Sequence, residues 1–131
     1  DTTGNVVAIH RDFSGHIAPN VPKNNLYLSL SLTYPIHKKI NLIAKLNYAG
    51  VSGLWVDDEN TGKTASYNLI NTICGIDMKF GHFNLVFSGG VNNMLNVKYV
   101  GFANINSADY RFYQSGAPIN YFCTLNLGYV F

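Results

Sequence analysis

The stretch I-N-Y-F-C-T-L-N-L-G-Y-V-F, residues 119–131, decides the fold class. Every second residue, Ile119, Tyr121, Cys123, Leu125, Leu127, Tyr129 and Phe131, forms one row. The row between them is Asn120, Phe122, Thr124, Asn126, Gly128 and Val130. Successive side chains on a strand point to opposite faces, so the stretch predicts a strand with one continuous apolar face. Its other face is mostly small or polar. Two environments fit that pattern. In a soluble β domain the apolar row of an edge strand is hidden in a core. In a membrane barrel that row meets lipid and the other lines a wet interior.

The same alternation recurs upstream. Strands are predicted at about 25–34, 39–50, 66–80, 82–93 and 117–131, with long connections at 1–23, 51–65 and 94–116. The first strand sets Leu26, Leu28, Leu30, Leu32 and Tyr34 against Asn25, Tyr27, Ser29, Ser31 and Thr33. The second has Ile40, Leu42, Ala44, Leu46 and Tyr48 on its apolar side. The third has Asn68, Ile70, Thr72, Cys74, Ile76, Met78 and Phe80. The fourth has Phe83, Leu85, Phe87, Gly89 and Val91. Residues 5–13 offer a weak sixth strand. The expected fold is all-β, an antiparallel up-and-down meander of five or six strands.

Charged residues make up only 12% of the 131 residues, about half the usual share of a soluble domain. The apolar rows contain no charge, whereas Lys39, Lys45, Asp77 and Lys79 all fall in the opposite rows. A charge facing lipid at mid-depth costs about 2–4 kcal/mol, so its exclusion is expected there. A soluble core excludes charge as well. A net charge of +2 gives no argument for nucleic acid. No run of about 18 apolar residues predicts a transmembrane helix, and this says nothing against a barrel. The chain begins Asp-Thr-Thr, without Met or a signal peptide, which is the expectation for a processed, excised or truncated product.

Two patterns favour the membrane. The connections alternate short and long: Pro35–Lys38, then 49–66, then Gly81, then 93–117. Outer-membrane barrels carry short periplasmic turns and long external loops. The aromatics of the apolar rows also sit at row ends. Tyr34, Phe80, Phe83, Tyr129 and Phe131 gather at the short-turn ends, and Tyr48 and Tyr121 at the long-loop ends. Rings at both borders of an apolar band make a girdle. Phe87, at mid-strand, is the exception. The strands are therefore expected to be transmembrane strands of an outer-membrane β-barrel.

The motifs resemble the C-terminal part of TonB-dependent outer-membrane receptors. "VPKNNLYLSLSLTY" is similar to that family's loop-to-strand entry, and "GLWVDDENTGKTASYNLIN" to its next loop and strand. "GGVNNMLNVKYV" resembles an Asn-Asn signature, with Asn92, Asn93, Leu95, Asn96 and Tyr99 in matching places and Met94 shifted from the commonest spelling. "GAPINYFCTLNLGYVF" resembles the lead into the family's last strand, with Ile119 where Arg is common. Leu125, Leu127, Tyr129 and Phe131 look like the C-terminal signal read by the barrel-insertion machinery. The resemblance implies a plugged barrel of about 22 strands. It further implies uptake of siderophore-bound iron, cobalamin or oligosaccharide, driven by an energy-coupling inner-membrane protein that pulls on the plug. No plug domain and no energy-coupling box occur in this sequence. Five or six strands also fall short of the roughly eight that close a small barrel. A C-terminal segment, part of a larger outer-membrane β-barrel, is the expectation, with outer-membrane lipid, the remaining strands and the plug as its partners.

No motif of nucleophilic, redox or phosphate chemistry appears, so no enzyme, metal or cofactor is expected. His10 and His16 lack a third ligand, and His37 and His82 have no neighbouring partner. Asp57-Asp58-Glu59 could offer carboxylates to calcium but lacks the spacing of a calcium loop, so a solvated loop tip is favoured. The ligand-contact candidates are the loop aromatics Trp55, Tyr99, Phe102, Tyr110, Phe112 and Tyr113. The plainer reading, that these rings pack the loops or extend the wall, is the favoured one.

Three functions compete: a transporter barrel segment, a small self-contained outer-membrane barrel with an adhesin or structural role, and a soluble β-barrel ligand carrier. Cys74 and Cys123 lie in apolar rows two strands apart, about 9–10 Å, beyond the roughly 7 Å that a disulfide spans. Intact mass under non-reducing conditions, after alkylation, is expected to show two modified thiols. An intramolecular bond would overturn both the pairing and the strand order.

Overall fold

The computed structural model describes residues 11–105 and 113–131. Five strands form one antiparallel sheet: β1 (Asn25–His37), β2 (Ile40–Val51), β3 (Tyr67–Phe80), β4 (Phe83–Asn92) and β7 (Asn120–Tyr129). Their order is β1-β2-β3-β4-β7, a meander in which every neighbour in space is the next long strand in sequence. The connection between β4 and β7 holds a small hairpin, β5 (Val100–Ala103) and β6 (Tyr113–Ser115). That hairpin was not expected from the sequence. Its strands are too short for alternation to register, and its pairing slips by one residue at Gly101. The weak strand at 5–13 falls mostly outside the described residues, and residues 11–13 are not in a strand.

Register brings the five apolar rows onto one face. Leu30 lies opposite Leu46, Leu46 opposite Thr72, Thr72 opposite Val91 and Val91 opposite Tyr121. One line further on run Leu32, Ala44, Cys74, Gly89 and Cys123; beyond it run Tyr34, Leu42, Ile76, Phe87 and Leu125. A slip of one residue in any pair would turn that strand's whole row to the other side. Nothing in the described residues covers this face. Leu28 is 56% exposed, Leu42 37%, Phe87 49% and Leu125 65%. Among the described residues, the only buried apolar side chains are Val56 and Ala103, both outside the five-stranded sheet. The sheet is a single layer.

The ends of the band are aromatic. At the short-turn end Phe83 meets Tyr129 edge-on at 5.1 Å, Tyr129 meets Phe131 at 5.0 Å, and the His82 ring lies 5.9 Å from Tyr129. At the loop end the Tyr48 hydroxyl donates to Asn68 Oδ1 at 2.8 Å. Its ring passes over Gly50, where a Cβ would come 2.9 Å from that hydroxyl oxygen. The one amide in the third apolar row is thus bonded by a tyrosine at the band's border.

Both short connections are two-residue turns, Lys38-Lys39 and Gly81-His82. Gly81 has φ +58°, the conformation that favours glycine at the first central position of a hairpin turn. The expected turn at Pro35–Lys38 is corrected: β1 runs on to His37, with a register shift between Pro35 and His37. Pro35 thus sits at an irregularity of the ladder, where a proline is tolerated. The fifth long strand is also shorter than 117–131. Ala117–Ile119 belong to its lead-in, although Val130 N–H still donates to His82 C=O at 2.9 Å. Cys74 and Cys123 are both paired with Gly89, one on each side, and both thiols are free.

The asparagine-rich block after β4 is a staple. Asn93 is 3% exposed and has φ +50°. Its Nδ2 donates to Val97 C=O at 2.8 Å and to Ala117 C=O at 3.1 Å, and its Oδ1 accepts Val97 N–H at 2.8 Å. Its own N–H donates to Asn71 Oδ1 on β3 at 2.8 Å. Asn96, at φ +49°, accepts Ile119 N–H on Oδ1 at 3.1 Å. Asparagine tolerates the left-handed region and supplies both donor and acceptor, so one residue type meets both demands. Asn93→Ala is expected to destabilise the chain by about 2–4 kcal/mol, from lost bonds, an unmatched buried amide and left-handed strain. Asn93→Gly should recover about 1 kcal/mol of that, because only the strain is relieved. Denaturant unfolding in detergent checks both; equal losses would reject the backbone argument.

Candidate ligand-facing site at the loop end

The β2–β3 connection folds into a tight finger. Trp55 and Lys63 form an isolated antiparallel bridge, and Lys63 Nζ stands 5.0 Å from the centre of the indole. Thr64 N–H donates to Leu54 C=O, and Leu54 N–H donates to Thr64 Oγ1. At the tip Asp57 Oδ1 accepts Thr61 N–H at 2.7 Å, and Oδ2 accepts Thr61 Oγ1 at 2.8 Å and Gly62 N–H at 2.9 Å. These bonds, the Thr61 N–H first, outweigh partial desolvation and hold the Asp57 carboxyl below its ordinary range.

The segment before β1 lies along this finger. Asn24 N–H donates to Ser52 Oγ, and Asn20 N–H donates to Trp55 C=O at 2.8 Å. Asn60, at φ +55°, grips Ile17 twice: its Oδ1 accepts Ile17 N–H and its Nδ2 donates to Ile17 C=O, both at 2.8 Å. His16 Nδ1 donates to Asp58 C=O, and Arg11 pairs with Glu59. The acidic run is therefore engaged. Asp57 closes the turn, Asp58 lends its carbonyl, and Glu59 meets an arginine. His16 meets backbone, His10 lies outside the described residues, and His37 and His82 sit at the opposite end of the sheet.

The second long connection folds over the polar face. Tyr67 pairs with Val51 and belongs to the row of Leu69 and Asn71. The Tyr99 ring packs against it, centroids 4.6 Å apart. The Tyr99 ring also lies against the Gly116 backbone, leaving no room for a Cβ there. Beside this wedge is a cavity of about 510 Å³ lined by Ala65, Ser66, Lys98, Tyr99, Val100, Tyr113 and Ser115. A smaller pocket of about 290 Å³, with Tyr99 in its wall, is lined by Asn71, Asn92, Asn93 and Asn120. These amides continue a polar line across the sheet. Tyr27 and Ser29 hydroxyls both donate to Asn47 Oδ1 at 2.9 Å, Asn47 lies opposite Asn71, and Asn92 Nδ2 donates to Asn120 Oδ1 at 2.9 Å.

Of the aromatics singled out in the sequence, the cavity brings together Tyr99 and Tyr113. Trp55 is half-buried under Lys63, and Phe102 is 52% exposed on the hairpin; neither lines the cavity. Tyr110 and Phe112 lie outside the described residues. Asn92, Asn93 and Asn96 act as fasteners, while Leu95 is exposed at 59%. The sequence reading missed Lys98, Ser66 and Ser115, which reach the cavity only because the β5–β6 hairpin folds back. It also missed Tyr67, whose place in the polar row was readable. Chemically the site offers an ammonium, hydroxyls, ring edges and amides, the means of holding a polar ligand.

No protein-family model matches the chain. The solved structures it resembles include the crystal structure of BauA, the ferric preacinetobactin receptor from Acinetobacter baumannii. The match has a TM-score of 0.71 and 22% identity over 88% of this chain, and covers 16% of the receptor chain. This chain thus spans about a sixth of that receptor's length and shares the fold of that part.

Proposed function

We propose that the chain is the C-terminal barrel segment of an outer-membrane receptor for energy-coupled, TonB-dependent uptake. The observation that carries this reading is the uncovered apolar face. Five strands in register present one charge-free, exposed surface bounded by rings, and the opposite surface is amide- and hydroxyl-rich. Lipid covers the first surface and water the second, as in a membrane barrel. The unpaired sides of β1 and β7 join the remaining barrel strands, and Leu125, Leu127, Tyr129 and Phe131 present the insertion signal. The loop-end cavity over the polar face faces incoming cargo: siderophore-bound iron, cobalamin or oligosaccharide. The role is that of a transporter and not of an enzyme. The likeness of fold to a ferric preacinetobactin receptor supports the receptor reading. A soluble ligand carrier would place the apolar rows inside.

The native thiols provide the test, because Cys74 and Cys123 lie in the apolar face and are exposed in the isolated chain. In bilayers both are expected to resist a charged, water-soluble maleimide. Ser88→Cys or Thr124→Cys, on the polar face and made singly in a Cys-free chain, should label at least tenfold faster. Rapid labelling of Cys74 and Cys123 in bilayers, or a stable detergent-free monomer, would overturn the proposal.

A further inference from the structure

We infer that the short-turn end of the sheet is a docking surface for anionic phospholipid headgroups. This rests on the membrane reading above and adds a preference to it. The two ends differ in charge: the loop end mixes carboxylates with Arg11, Lys23, Lys63 and Lys98, whereas the short-turn end is almost wholly basic in its side chains. Asp12, Asp57, Asp58 and Glu59 lie in the segments at the loop end. His37, Lys38, Lys39, Lys79 and His82 cluster at the two tight turns, all exposed, with Asp77 the one acidic side chain near them among the described residues.

Two of these lysines are forced together by register. Ile40 pairs with Met78, and Lys79 N–H donates to Lys39 C=O at 2.9 Å, so Lys39, at the end of its turn, stands opposite Lys79 on β3. Like charges so placed repel, and an anion between them turns the repulsion into attraction. Asp77 does not neutralise them. It faces Asn41 and Val86, and no ion pair joins Lys38, Lys39 or Lys79 to a carboxylate among the described residues. Beside Lys79 is a cleft of about 270 Å³ lined also by Gly81, His82, Phe83, Asn84 and Val130. Gly81, at the tip of its turn, borders open space: a Cβ there would touch nothing within 4 Å.

The position names the anion. The cluster straddles the aromatic edge of the apolar band. Lys38 and His82 lie in the turns beyond the line of Phe80, Phe83 and Tyr129. Lys79, level with Asn84 and Gly128, and Lys39 opposite it lie one residue inside that line in the polar rows. In a bilayer that aromatic edge lies at the depth of the phosphates. Lysine stems are long and flexible enough to bring an ammonium from the rim to the lipid side. Basic residues near an anionic leaflet add their attractions separately. A free anion in bulk water would have no reason to collect beside an aromatic border.

Flotation of the whole chain with vesicles tests this, comparing pure phosphatidylcholine with a mixture containing about one third phosphatidylglycerol. The chain is expected to favour the anionic vesicles, and the preference should fade in ~1 M salt, where screening acts over about 3 Å. Replacing Lys38, Lys39 and Lys79 together by Gln should lower the preference roughly tenfold to a hundredfold. Replacing them by Arg should keep it, which separates lost charge from lost folding. Equal binding to neutral and anionic vesicles overturns this inference alone, as does a Gln variant that retains the full preference. Binding to neither vesicle overturns the membrane reading together with it.

Discussion

A single layer of β-sheet cannot bury its own apolar face, and this constraint governs the chain. Each fully buried Leu or Phe gains about 1.5–3 kcal/mol relative to exposure, and here the long strands expose Leu28, Leu30, Leu32, Phe87, Leu125 and Leu127 instead. An unbroken apolar band of this size marks a surface that something outside the described residues covers. The two small buried residues, Val56 and Ala103, belong to the loop assembly and do not stabilise the sheet. What holds the sheet is its ladder of backbone bonds, and what selects its register is the environment outside the chain. Fold and surroundings are therefore one problem here.

The two ends of the sheet answer different demands. The short-turn end is kept tight by a glycine at φ +58° and by rings that meet edge-on. The loop end is kept in shape by side-chain amides. Every non-glycine residue with positive φ among the described residues is an asparagine: Asn20, Asn60, Asn93 and Asn96. Three of them also bond through their side chains to a segment distant in sequence, at Ile17, Ala117 and Ile119. Backbone permissiveness and amide bonding are combined in the same residues, which accounts for the asparagine-rich block without assigning it to a ligand.

The sheet was readable in the sequence because strand alternation is a period-two signal repeated over ten or more residues, and all five strands reported it in phase. Leu26 to Tyr34 and Tyr121 to Tyr129 needed no other information. The ends of strands were less legible. Pro35 reads as a breaker, yet it sits where the ladder slips and the strand runs on past it. The site was readable only in part. Tyr99 and Tyr113 were singled out as aromatic, but nothing in their neighbours showed that Gly116 would seat one ring and that Lys98 would share the cavity. Those meetings are set by a short hairpin whose pairing carries a slip, and short pairings leave no periodic trace.

The grip of Asn60 on Ile17 has a mechanical consequence. A carboxamide that both gives and takes a hydrogen bond reproduces what a neighbouring peptide group would do, so the finger acquires an extra strand-like partner without any strand being present. With Arg11 on Glu59 and Asn20 on Trp55, the two outer segments form one lever hinged where Asn24 meets Ser52. For either segment to swing aside by itself, the bonds of Asn60 to Ile17 and of Asn20 to Trp55 would have to break.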